Sequence, residues 1–446
     1  MNAPSAQPRE VFGPGSHQPP APPGWSWPQP AWAHVALFTL AVGQRLLWLL
    51  TTHAGVHSTG EGPRAVDSLL QRGVLGEIFP GVPGPSAHLA PLWPALVAGL
   101  SRVTGLHPER AGQLASLTAV GLTATLLPVL ARRLGWPARV GWVAGLALAL
   151  CPLYTHSELF DCVTQPATGL TLLALAVAIP WQRERGGLHW SEVVGWGLAL
   201  GAAAWLEPFV PLTAGLVVAL VLLREISPRS LGQGVCLGLI AGLVVSPWLV
   251  RNRIQLGGWV PIRGNFGLEF ALGNQPGAMG TAVRSAAADL HPFTSPAAAQ
   301  RVVELGELSY VREVGGNAWQ WAVNHPLDFG QLCLRRARLY WFPPPRLLGS
   351  GRRSAWPRAL LLWSGTLAVG WQLYRGLRER PQLWAGLALF CLVPSLPHLL
   401  THIELRYRQP IWAFELLLLA LTLDELWQTL ATRGNRAPAM KASLPG

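Results

Sequence analysis

The side chains able to do chemistry in this chain are few, and they gather in short polar stretches. Glu61 stands in GEGPRAVDSLLQRGVLGEIF beside glycines and ahead of a helix-like segment, with Asp67 and Glu77 after it. A carboxylate there serves either as a general base toward an attacking hydroxyl or as a helix N-terminal acid set against the macrodipole. HSELFDCVTQP, 156–166, carries Glu158 and Asp161 three residues apart, on one face of a helix. That pair would bind a metal or a sugar, or stand as two solvated loop acids. The basic groups are Arg251, Arg253 and Arg263 in one long polar segment, and His402, Arg406 and Arg408 in THIELRYRQP. Arginine suits phosphate because its planar fork donates two hydrogen bonds at once. At a membrane surface the same arginines would hold lipid headgroups or snorkel. No metal-ligand spacing is legible, and the five scattered cysteines form no disulfide framework.

The elements that must position these groups are greasy. Half of the 446 residues are hydrophobic and 13% are charged, against about 25% in a soluble protein. The apolar runs have helical length and no polar alternation, which excludes an outer-membrane barrel and indicates an all-α polytopic membrane protein. Ten spans are expected, at 31–53, 111–131, 140–155, 163–181, 193–206, 208–223, 232–250, 356–374, 382–400 and 410–427. The net charge of +12 is almost all arginine, with Lys441 the only lysine. The arginines at 132, 133 and 139, at 183 and 185, at 224 and 229, at 375, 378 and 380, and in the tail fall on one side only if both termini are cytoplasmic. This positive-inside pattern accounts for the charge without nucleic acid. Residues 1–30 are Pro-rich and read as a disordered cytoplasmic tail with no signal peptide, and 428–446 as a second tail.

Two large loops, 54–110 and 251–355, then lie outside. The first carries an amphipathic helix at 88–105, and 305–341 forms two helices separated near Asn324, His325 and Pro326. Two charges fall inside apolar runs, Arg45 and Glu207. The arginine either faces an external cavity or snorkels. The glutamate caps a broken helix or pairs with an arginine. RGNFGLEFALGNQPG, 263–277, breaks an otherwise greasy chain and reads as a loop.

Taken in order, EGPRAVDSLLQRG, GPSAHLAPLWP, SPWLVRNRIQLGGWVPIRGNFGLEFALGNQPGA, DLHPF, ELGELSYVREV, NHPLDFGQLCLRRARLYWF and HIELRYRQPI resemble the GT-C superfamily of integral-membrane glycosyltransferases over about 31–427. Within it they are similar to the bacterial branch related to protein O-mannosyltransferases and the lipid A aminoarabinose transferase. The resemblance implies transfer of a sugar from a polyprenyl-phosphate-linked donor to a hydroxyl of a lipid, glycan or protein acceptor, at the outer face of the cytoplasmic membrane. It places the catalytic base on Glu61 and the donor phosphate on Arg406, Arg408, His402 and Arg251. Sugar and acceptor contacts fall on Arg263, Asn265, Glu269, Asn274 and Asp161. No cofactor is required by the motifs, and a divalent metal is left open. The chain departs from the family at Thr164-Gln165-Pro166, where relatives carry an acid, and at Thr59-Gly60 before Glu61. The alternatives are an inactive membrane scaffold and a lipid-linked-sugar transporter.

Overall fold

Proline and glycine punctuate the helices. Pro108, Pro228, Pro296, Pro326 and Pro381 each sit in a first turn, where the missing N–H costs nothing. Ser227 caps one start reciprocally with Ser230. The computed structural model describes residues 30–51, 60–160, 164–181, 187–281, 289–348 and 352–441. The first 29 residues, Asp161, Thr59 and the arginines at 183 and 185 lie outside the described residues.

Among the described residues the chain is helical, with two isolated β-bridges and no strand. In order come α1 (Ala31–Thr51), α2 (Glu61–Arg72), α3 (Leu92–Thr104), α4 (Pro108–Arg133), α5 (Ala138–Leu150), α6 (Thr155–Phe160), α7 (Gln165–Ala178), α8 (Trp190–Ala204) and α9 (Phe209–Leu222). Then follow α10 (Pro228–Leu256), α11 (Phe266–Gly273), α12 (Pro296–Leu305), α13 (Glu307–Asn324), α14 (Pro326–Trp341), α15 (Arg352–Glu379), α16 (Pro381–Leu392), α17 (Leu396–Leu400) and α18 (Gln409–Lys441). Each of the ten expected spans falls on one of these helices, with α16 and α17 sharing one span. Among the described residues four are long and apolar enough to cross a membrane: α1, α4, α10 and the Pro381–Leu400 pair. The α13–α14 break stands where the sequence placed it, because Pro326 cannot continue the α13 hydrogen-bond ladder.

The bundle core gathers α1, α4, α5, α7, α8, α9, α15, α16 and α18 around residues such as Leu127, Leu172, Phe390 and Phe414. At one end Arg139 pairs with Asp424, Arg375 with Glu425, and Trp136 stacks on Trp384. Two ion pairs pin the core. Arg45 donates to Glu158 and to the carbonyls of Leu148, Ala149 and Cys151, which closes the C-terminal end of α5. Glu158 also accepts from Gln409. It is therefore a buried structural partner rather than a solvated loop acid or a ligand. Arg408 pairs with Glu415 in the second.

At the opposite end the two large loops form a module of their own. The stretch 263–277 contains a helix, α11, where the sequence suggested only a loop. Its apolar side, Leu268 to Leu272, is buried against Val311, Val314 and Ala318 of α13. The two helices touch backbone to backbone: a Cβ on Gly315 would lie 2.7 Å from the Gly267 Cα. Only glycines allow that approach.

Candidate active site

The module and the bundle enclose a cavity of about 810 Å3. One wall is Glu61, the first residue of α2. Its carboxylate is bracketed by two imidazoles, with His88 Nε2 3.2 Å from Oε2 and His291 Nε2 3.3 Å from Oε1. His88 is held by a dense backbone weave. Arg263 donates to its carbonyl, Gly264 N to Ala87 O, and Ala87 N to Glu307. Arg251 donates to the carbonyls of Ser86 and Leu75. Phe79 presents its ring to both histidines. Burial alone would raise the Glu61 pKa, but the His88 charge and hydrogen bond, with His291 and Arg263, outweigh it and hold it at about 2. Burial alone would lower His88, and Glu61 outweighs that to raise it. For His291 burial prevails, and its pKa is lowered.

Glu61, His88 and His291 each offer a ligand atom, all within 4.8 Å of one another. The sequence left a divalent metal open without naming ligands, and the fold brings these three candidates together. Two imidazoles and a carboxylate with an open position form a donor set used by catalytic zinc. Glu61 Oε1 is buried without a hydrogen bond, with only the 3.3 Å approach of His291 Nε2 beside it. The set fits a divalent cation at one cost. His291 Nδ1 accepts the Phe293 backbone N–H, and a ring ligating through Nε2 would give up that bond.

The next wall carries paired charges. Arg263 Nη1 donates to both oxygens of Glu207, at 3.0 and 2.8 Å, so the glutamate between α8 and α9 meets its arginine partner. Asn265 Nδ2 donates to Glu269 Oε1 at 2.9 Å. The other oxygen of Glu269 lies 3.7 Å from His402 Nδ1, and His402 Nε2 faces the Tyr407 hydroxyl at 3.2 Å. Tyr407 stacks on His398 with ring centres 4.1 Å apart. Arg406 lines the same space and pairs with Glu404 at 2.6 Å. Gln165, at the position where an acid was expected, also faces the cavity.

Glu61, Arg263, Asn265, Glu269, His402 and Arg406 are thus brought together. Three other expected residues are not. Arg408 is 1% exposed, and its five N–H groups go to Glu415, Tyr340 O, Trp341 O, Leu362 O and Thr366. No donor remains for a phosphate. Arg251 is spent on loop carbonyls and lies over Trp248. Asn274 is buried behind the wall, donating to Phe270 O and Leu400 O. Asp161 lies outside the described residues.

Three contributors were not singled out from sequence. His88 and His291 stand in GPSAHLAPLWP and DLHPF, where their presence in the two large polar loops was the available signal. Arg336, in CLRRARLYW, is fully buried and donates to the carbonyls of Gly273, Leu399 and Leu400 and to Asn274. It closes the ends of α11 and α17 against each other behind the cavity.

Fold and cavity together define an all-helical polytopic membrane protein with a polar loop module set against its bundle around one cavity. No family model matches the chain, and no curated protein matches it by sequence. A solved structure does match: the archaeal oligosaccharyltransferase AglB from Archaeoglobus fulgidus, in complex with an inhibitory peptide and a dolichol-phosphate. The TM-score is 0.51 at 13% identity, over 94% of this chain and 53% of that one. The chain thus spans about half the length of that protein, and the likeness is one of fold.

Proposed function

We propose that this chain is a polyprenyl-phosphate-sugar-dependent glycosyltransferase of the bacterial branch named above. It would move a hexosyl or pentosyl group to a lipid, glycan or protein hydroxyl at the outer face of the cytoplasmic membrane, with both termini cytoplasmic. The observation that carries this reading is one cavity lined by Glu61, His291, Glu269 and Arg406, with His88 buried against Glu61, on walls supplied by both large loops and the segment 397–410. A fold neighbour solved with dolichol-phosphate supports a lipid-linked donor.

In this mechanism the acceptor oxygen attacks the anomeric carbon. The carbon–oxygen bond to phosphate breaks, and its electron pair leaves on the phosphate. Arg406 neutralises that charge where it accumulates, commonly the largest catalytic contribution. The hydroxyl proton goes to a carboxylate. Glu61, held at about 2, has little affinity for it. We therefore give the base role to Glu269, whose carboxylate faces the same cavity and is oriented by Asn265. Glu61, His88 and His291 are then placed to hold a divalent cation, which when bound would supply Lewis-acid charge at the leaving phosphate. The buried pairs Arg45–Glu158 and Arg408–Glu415 tie helices together and mark no polar path, which favours the enzyme over the transporter.

The test is a panel of undecaprenyl-phosphate hexoses and pentoses given to the purified protein in nanodiscs, together with a cell-envelope extract as the source of lipid, glycan and protein acceptor hydroxyls, with released undecaprenyl phosphate followed by mass spectrometry. Release from at least one donor, lost in Glu269→Gln, is expected. No release from any donor, together with no binding of undecaprenyl phosphate, would refute the proposal.

A further inference from the structure

The cationic group assigned to the donor phosphate is already engaged by an acid. Glu404 immediately precedes the 3-10 turn Leu405–Arg408 that leads into α18, Arg406 lies two residues on with its guanidinium 2.6 Å from the Glu404 carboxylate, and both line the cavity. Neither is deeply buried, with side chains 30% and 27% exposed, so the pair can open without stranding a charge in apolar surroundings. The other charged or titratable groups near it are Tyr407, His398, His402, Arg263 and Glu269. Any phosphate that reaches Arg406 must displace the Glu404 carboxylate or lie beside it.

The proposed reaction changes the charge of what lies there. The donor is a phosphodiester with one negative charge. Attack by the acceptor oxygen breaks the sugar–phosphate bond and leaves both electrons on oxygen, while the proton goes to the base. The product lipid is therefore a phosphomonoester, with a second pKa near 6, and carries two negative charges above about pH 7. A neighbouring carboxylate repels a dianion about twice as strongly as a monoanion. Each unit charge is worth about fivefold in affinity, the order for charges about 4 Å apart in water-like surroundings.

We infer that Glu404 is a product-release residue: it competes for Arg406 and expels the dianionic lipid monophosphate in preference to the monoanionic donor. The inference rests on the phosphate role proposed for Arg406. It assigns Glu404 neither base nor ligand chemistry.

The experiment uses the full chain in nanodiscs at pH 8 and two probes, undecaprenyl phosphate and its unreactive methyl ester. Native mass spectrometry reads affinity, and competition with a labelled lipid reads the off-rate. Glu404→Gln should bind the methyl ester about fivefold tighter than wild type. It should bind the monoester about 25-fold tighter and release it correspondingly more slowly. Glu404→Asp, which keeps the charge, should restore the wild-type preference and controls for folding. An equal gain for both probes, or no gain for either, would overturn the inference while leaving the phosphate site standing. Wild-type binding that Arg406→Ala does not weaken, or no wild-type binding at all, would instead overturn the phosphate site itself.

Discussion

Arg406 and Arg408 share a motif and a charge, yet the structure gives them opposite consequences on substitution. Arg408→Ala removes one partner of an ion pair in which Glu415 is 0% exposed. It also strips donors from the carbonyls of Tyr340, Trp341 and Leu362. Breaking a buried pair from one side costs about 3–5 kcal/mol, because the remaining charge stays desolvated. Arg406→Ala breaks a pair whose side chains are 30% and 27% exposed, worth about 0–1 kcal/mol. Thermal unfolding in detergent should therefore place Arg408→Ala well below wild type and Arg406→Ala close to it. Native mass spectrometry with undecaprenyl phosphate should show the reverse order, with binding lost in Arg406→Ala and kept by whatever Arg408→Ala protein remains folded. Replacing both members of the buried pair, as Arg408→Leu with Glu415→Leu, should recover the part of the loss due to the unpaired Glu415 charge, while the carbonyls of Tyr340, Trp341 and Leu362 stay without that donor. An Arg408→Ala protein that unfolds at the wild-type temperature but no longer binds the lipid would refute this assignment.

The His88→Ala, His291→Ala double variant should lose zinc that wild type retains after dialysis, measured by elemental mass spectrometry. Zinc affinity should rise with pH through the raised His88 pKa, because a ligating imidazole must be neutral. In chelator-treated protein the lowered Glu61 pKa contributes stability above the ordinary carboxylate range that is lost as pH falls toward about 2. The raised His88 pKa contributes stability below 6.5 that is lost as pH climbs through its folded value. His88→Gln should flatten the upper limb of a stability profile against pH, and an unchanged profile would remove the Glu61–His88 pair from that account. Glu269→Gln should slow transfer by about 10²- to 10⁴-fold while leaving lipid binding intact. Gly273→Ala should cost about 1–3 kcal/mol, because its Cβ would collide with the Thr401 carbonyl; a wild-type melting temperature would show that the cavity floor yields at little cost.

Much of the architecture is legible from local pattern. Apolar runs of helical length predict ten spans; each falls on described helices, the ninth on the broken α16–α17 pair, and among the described residues four are long and apolar enough to cross a membrane. The break at Pro326 follows from a missing N–H, and the arginines at 132, 133 and 139, at 224 and 229, and at 375, 378 and 380 fall near the ends of helices. The α11 helix was not legible, since its glycines and asparagines read locally as a loop. Its burial against α13 through the Gly267–Gly315 contact overrides that preference. Arg408 shows the same limit in the site. A motif places it beside the membrane next to Arg406, but rotation by two residues on a tight turn sends one guanidinium to the cavity and the other into the bundle.

The sequence by itself determined the class of protein, because hydropathy and charge distribution are sums over neighbouring residues. It also determined which loops carry the polar chemistry. The tertiary structure alone decided which residues meet. His88, His291 and Glu61 come from segments separated by 27 and 230 positions, and no local spacing encodes that approach. It depends on Arg251, Arg263 and Glu307 drawing two distant loops into register around one carboxylate. Whether an arginine is a phosphate ligand or a structural pin is likewise a matter of which donors its surroundings have already consumed.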